Sequence, residues 1–175
     1  MKRLATLFLL GFFAWTALAH ESATVITTVI LVRHAEKNLN PALVDPPLTP
    51  EGLARAIELA HVLAGTKVDA IFTTPFTRTR QTAAPLADVK KLVPVEVKTG
   101  PDYATDVAAK IRANHKGKTV VVIGHSNTTQ QVIQALGIAD APAIPESQYD
   151  NLFIVTIAEG LEPRLVSLRY GAVAR

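Results

Sequence analysis

Val29-Ile30-Leu31-Val32-Arg33-His34-Ala35-Glu36 is the stretch on which the reading of the chain turns. Four consecutive apolar residues, three of them β-branched, make a buried-strand pattern. The run stops abruptly at a cation, an imidazole and a carboxylate. In open α/β sheets, ligands sit beyond the carboxyl ends of the strands. His34 is therefore a candidate nucleophile, with Arg33 beside it to hold an anion.

Outward from this stretch, strands and helices alternate. The first strand covers about Val25 to Val32. After a loop rich in Asn and Pro, Thr49 offers an N-cap, Pro50 suits the first helical position and Glu51 complements the helix dipole. This helix is expected to run to about Ala64, with Leu53, Ile57, Ala60 and Leu63 on its apolar face and Gly65 as its stop. Val68 to Thr73 reads as a second strand, leading into a segment, Thr74 to Ala83, whose second half is helical. Val93 to Val97 reads as an edge strand, because Pro94 cannot donate to a ladder. A helix capped by Asp102 or Thr105 then runs to about His115. Thr119 to Ile123 is a second continuous apolar strand, followed by a helix to about Leu136, and Leu152 to Ile157 and Leu165 to Arg169 close the chain as a candidate antiparallel pair. The expected architecture is a three-layer α/β sandwich: a largely parallel central sheet with helices on both faces, in one domain.

Composition narrows the function classes. Lys2 and Arg3, an apolar run from Leu4 to Leu18 and a terminal Ala17-Leu18-Ala19 form a secretory signal-peptide pattern, with cleavage expected before His20. Residues 1–19 are then a leader and 20–175 the folded domain, placing the protein in the periplasm or outside the cell, with no stable membrane insertion once the leader is removed. Without Lys2 and Arg3 the formal charge of +3 falls by two, to +1. No long Lys/Arg run remains, which gives nucleic-acid binding no support. The absence of Cys excludes disulfides, thiolate metal sites and Cys nucleophiles.

Two strands end alike, at Arg33-His34 and at Gly124-His125. Carboxyl ends of parallel strands share one sheet edge, so His34 and His125 can meet. Arg78, after the second strand, can join them. Two imidazoles and two guanidiniums on one spot suit a dianion, most plausibly a phosphoryl group. A metal site of His34, Glu36 and His125 is disfavoured: no H-E-x-x-H pattern is present, and the arginines would repel a cation.

These segments resemble the histidine phosphatase superfamily, which includes the phosphoglycerate mutase-like enzymes. Leu31 to Glu36 is similar to its R-H-G signature, with Ala35 for the usual Gly. Pro47 to Gly52 resembles the opening of the family's first helix. Thr74 to Ala83 resembles its S-x-L-x-R-A-x-Q-T-A segment, which places Arg78 at the second phosphate-binding Arg, while Val122 to Asn127 resembles the strand bearing the second His. The resemblance implies a phosphoglycerate mutase-like fold and a phosphomonoesterase without cofactor or metal, acting on a small phosphorylated substrate. His34 becomes phosphorylated, and Arg33, Arg78 and His125 stabilise the transferring group. A phosphate-binding module without catalysis and a phosphomutase are the alternatives. Asn40 and Asn127 are further candidate phosphate contacts. The proton donor to the leaving group is Asp102, Glu36 or Asp150, with Asp102 at the position where many small members carry theirs.

Overall fold

The structure is a computed structural model that describes residues 24–173. The signal-peptide segment and its boundary at His20 lie outside the described residues. The elements follow the order β1 (Ile26–Arg33), α1 (Pro50–Val62), β2 (Ala70–Thr73), α2 (Thr77–Lys90), β3 (Val95–Glu96), α3 (Tyr103–Asn114), β4 (Thr119–Gly124), α4 (Ser126–Ala135), β5 (Asn151–Ala158) and β6 (Arg164–Arg169). They build one six-stranded sheet in the order β3-β2-β4-β1-β5-β6. The four strands β3, β2, β4 and β1 run parallel; β5 is antiparallel to β1, and β6 to β5. This is the expected largely parallel sheet, with the final pair antiparallel.

The β1 pleat divides the core into two layers. Ile30 and Val32 face α1 and α2, against Leu59, Leu63, Ala83 and Leu86. Val29 and Leu31 face α3 and α4, against Val107, Ile111, Val132 and Ile133. The central neighbours β1 and β4 are covered on both sides, which is why both read as continuous apolar runs rather than alternating ones. β3 lies at the edge and is shorter than the expected strand, beginning one residue after Pro94.

Helix α1 corrects one expectation. Thr49 does cap it, accepting from Gly52 N at 3.2 Å, with Pro50 in the first turn. Its buried face, however, is Gly52, Arg55, Ala56, Leu59 and Ala60, whereas Leu53 and Ile57 are exposed. The helix also ends at Val62, before Gly65. The face is turned by the contact of its first turn with the segment after β1. A Cβ on Gly52 would lie 2.2 Å from the Glu36 carbonyl oxygen. Thr49 N donates to that same oxygen at 2.9 Å, and Asn38 N donates to Pro47 O at 2.8 Å. The start of α1 is thus stitched to the residues that follow His34, and only glycine allows so close an approach.

α2 continues past the expected helical segment, through Pro85 to Lys90, with Lys91 in the left-handed conformation as its cap (φ 54°). His115, half-buried, follows the end of α3. It packs edge-on against Phe72, ring centroids 5.6 Å apart.

Candidate active site

Arg33 and Gly124 are partners in the parallel β1–β4 ladder, so the residues after them lie side by side. His34 N donates to Gly124 O at 2.9 Å, and the His34 and His125 rings meet with centroids 5.3 Å apart. A Cβ at position 124 would lie 2.8 Å from Thr128 Oγ1. The small residue lets the α4 threonines close under the strand end.

His34 is 2 % exposed. Its Nδ1 lies 2.8 Å from the Ala35 carbonyl oxygen. A carbonyl only accepts, so Nδ1 carries the proton and Nε2 keeps its lone pair. Burial pushes this imidazole down to about 3, against the Ala35 hydrogen bond, with Arg33, His125 and Arg78 adding to the effect. The neutral, nucleophilic form is therefore the resting state. Ala35 is held in turn by α2: its N–H donates to Thr82 Oγ1 at 3.0 Å, while Gln81 Oε1 accepts from Leu48 N at 2.7 Å. The Gln-Thr pair of the Thr74–Ala83 segment serves to position the loop that follows His34.

Arg78 donates to His125 Nδ1 at 3.3 Å, pairs with Asp45 at 3.6 Å and lies over the Phe76 ring. Asp45 also takes the Thr77 N–H and hydroxyl at the start of α2. Burial would raise the Asp45 carboxyl, but the Thr77 hydrogen bonds and Arg78 outweigh it and hold it below the ordinary range. On the other side of the site, Arg33 Nη1 donates to the carbonyls of Pro145, Glu146 and Gln148, and the guanidinium stacks on Tyr149 at 4.3 Å. Arg33 Nε and Arg78 Nε are both buried and have no acceptor among the described residues. Buried N–H donors are nearly always paired. Two unsatisfied guanidinium donors beside two neutral imidazoles form a receptor for an oxyanion. The surrounding pocket has a volume of about 320 Å³ and is lined by Arg33, His34, Arg78, His125, Asn127 and Glu146, among others.

Residues 29–100 match the model of the histidine phosphatase superfamily (branch 1). Among solved structures, the protein histidine phosphatase SixA complexed with tungstate superposes with a TM-score of 0.64 at 24% identity, covering 81% of this chain and 96% of that one.

Over residues 29–100 the chain is similar to the histidine phosphatase superfamily, and its fold is similar to that of SixA.

Two curated relatives match segments of this chain. Phosphoserine phosphatase 1 of Hydrogenobacter thermophilus is 41% identical over 69 residues, 37% of this chain and 33% of that protein. 2,3-Bisphosphoglycerate-dependent phosphoglycerate mutase 1 of Arabidopsis thaliana is 32% identical over 102 residues, 54% of this chain and 30% of that protein. The chain spans about a third of the length of each. The superfamily match ends at residue 100, so His125 joins the site through β1–β4 pairing, which the fold supplies.

The remaining expected site residues separate. Asn127 lines the pocket that holds His34; Asn40 and Asp102 do not. Asn40 is exposed, and its Oδ1 caps a local turn through Ala42 N at 3.0 Å. Asp102 is exposed at the residue preceding α3, without even a side-chain capping bond. Thr99, three residues earlier, is what reaches the pocket. Glu36 faces a separate cleft of about 1160 Å³ and is clamped by Arg55 through Nε at 3.0 Å and Nη2 at 2.7 Å. Asp150 is buried and accepts from Arg169 at 2.7 Å. Arg80 lies outside the pocket, paired with Glu96. The carboxylate that does line the pocket is Glu146, which the sequence reading did not single out. It pairs with Arg33 Nη2 at 2.5 Å and accepts from the Ser126 hydroxyl. It sits in an irregular loop with no periodicity or motif to mark it.

Proposed function

We propose that this protein is a histidine phosphatase: an exported phosphomonoesterase working through a phosphohistidine on His34. The observation that carries this reading is the pair of buried, unsatisfied Nε–H donors of Arg33 and Arg78 next to a neutral His34 whose Nε2 is free. The Nε2 lone pair attacks phosphorus in line, the P–O bond to the leaving group breaks, and water then cleaves the P–N bond. Arg33 and Arg78 hold the equatorial oxygens, where fixed positive charge in a partly water-excluded pocket lowers the barrier most. The name of the Hydrogenobacter relative supports hydrolysis. Export rests on the signal-peptide pattern of residues 1–19.

The test is turnover of p-nitrophenyl phosphate by the wild type and by His34→Ala, together with alkali-quenched, acid-labile phosphate on the protein. Turnover that survives His34→Ala overturns the mechanism. Tight phosphate binding without any phosphoenzyme identifies a binding module instead. The name of the Arabidopsis relative favours a mutase as the second reading. Release of inorganic phosphate in step with substrate loss, with none retained on an organic product, decides against that reading.

A further inference from the structure

Resting on that phosphatase reading, we infer that Glu146 is the proton donor to the leaving oxygen and the base that activates the hydrolytic water. Expulsion of an alkoxide from phosphorus requires a proton, and Arg33, Arg78, His34 and His125 do not supply one. The arginines stay charged, His34 is the nucleophile, and burial holds His125 neutral, down at about 4.

The carboxyl groups at hand reduce to one. Glu36, paired with Arg55, Asp150, paired with Arg169, and Asp102 all lie outside the pocket that holds His34. Asp45 is tied up by Thr77 and Arg78. Glu146 alone of these lines the pocket with His34. It is also aimed. Arg33 Nη2 holds one oxygen and the Ser126 hydroxyl, at the start of α4, the other, so the carboxyl bridges from the Arg33 side of the site to the His125 side. The backbone that carries it is fixed by the same guanidinium, through Pro145 O at 3.1 Å and Glu146 O at 2.7 Å. Its side chain is 74% exposed, which leaves it room to turn toward a leaving group at the pocket mouth.

The protons balance as follows. The hydrogen bond from Ser126 and the charge of Arg33 hold Glu146 below the ordinary carboxyl range, so it is ionised before substrate arrives. A phosphate monoester has its second pKa near 6, so a monoanion is available in mildly acidic solution. The monoanion takes over the Arg33 contact and passes its proton to Glu146. His34 Nε2 then forms the N–P bond, the P–O bond breaks, and the leaving oxygen takes the Glu146 proton. In the second half, the Glu146 carboxylate accepts a proton from the attacking water, the P–N electron pair returns to Nε2, and phosphate leaves.

The experiment compares glycerol phosphate, whose alkoxide needs the proton, with 2,4-dinitrophenyl phosphate, whose phenolate does not. For Glu146→Gln, the ratio of kcat/KM for the alkyl ester to that for the aryl ester should fall about 100-fold, within the range of general-acid catalysis. Asp102→Asn, outside the pocket, should leave the ratio at the wild-type value. Ser126→Ala, which keeps the carboxyl but frees it, should lower the ratio less. In the wild type, kcat/KM for the alkyl ester should decline above about pH 6 as the monoanion disappears. An unchanged ratio in Glu146→Gln means that the carboxylate only anchors its loop, and overturns the inference. A gain in rate on both esters means that it plugs the phosphate site, with the same consequence. Absence of a phosphoenzyme in the wild type with either ester overturns the phosphatase reading itself.

Discussion

Thr74 Oγ1 and His125 Nε2 lie 3.0 Å apart, and this contact sets the tautomer of the second histidine. Thr79 Oγ1 spends its single proton on a backbone carbonyl, that of Thr74 at 2.9 Å or of Phe76 at 2.8 Å. It must therefore accept from Thr74 Oγ1, 2.9 Å away, which leaves Thr74 to accept from His125 Nε2–H. Arg78, which can only donate, faces Nδ1 at 3.3 Å and requires the same tautomer. Thr74→Val, nearly isosteric, strands the Nε2–H. It should lower kcat by about tenfold and cost about 1–3 kcal/mol in urea unfolding, whereas Thr74→Ser should restore both. Full activity in Thr74→Val would show that the hydroxyl chain has no part in orienting His125.

The two histidines make the fold acid-sensitive. The unfolded chain protonates an imidazole near the ordinary value of 6.5, while native His34 resists until about 3 and native His125 until about 4. Their neutral burial is without penalty above pH 6.5. As pH falls from there toward the native values, the unfolded state alone gains protons and stability is lost. For His34 the slope approaches about 1.4 kcal/mol per pH unit. Urea midpoints at pH 7 and pH 5 should differ markedly in the wild type and less in His34→Ala. Equal differences in the two proteins would contradict this account.

Arg55 and Glu36 form an ion pair behind the loop that follows His34. Arg55 is 5% exposed, and it also donates to Tyr170 O and Ala172 O at 2.9 and 2.8 Å. Glu36→Ala leaves a buried guanidinium without its partner and should cost about 3–5 kcal/mol in chemical unfolding. Among molecules that remain folded, phosphoenzyme should still form. Failure to phosphorylate in a fully folded Glu36→Gln protein would return Glu36 to the chemistry.

Asp102 stands outside the pocket, so Asp102→Asn should change kcat by less than about twofold and leave the pH profile in place, since isolated surface changes have small effects. A fall of about 100-fold or more, the size expected of a lost general acid, would show that the α3 start closes over the substrate.

The His34 and His125 positions were legible because each follows a local pattern: a continuous apolar strand that ends in a polar residue. Arg78 was legible through its motif. The outward face of α1 was not. The spacing of Leu53, Ile57 and Ala60 gives a helix, but the Gly52–Glu36 contact and the Arg55–Glu36 pair rotate a charged residue inward and leave Leu53 and Ile57 in solvent. Burial of Arg55 depends on a partner nineteen positions away, which no helical periodicity encodes. Glu146 was less legible still. Its loop has no repeating pattern, and its contact with Arg33 spans 113 positions.

By itself, the sequence determined the alternation of strands and helices, the two strand ends that carry His34 and His125, and the cationic character of the site. These follow from short-range hydrophobic patterning and residue chemistry. The tertiary structure decided which carboxylate joins them, which tautomer each imidazole adopts, and which face of α1 is buried. Each of those depends on hydrogen bonds and ion pairs between segments far apart in the chain, whose partners meet only when β1 and β4 lie side by side and the 145–149 segment folds over Arg33.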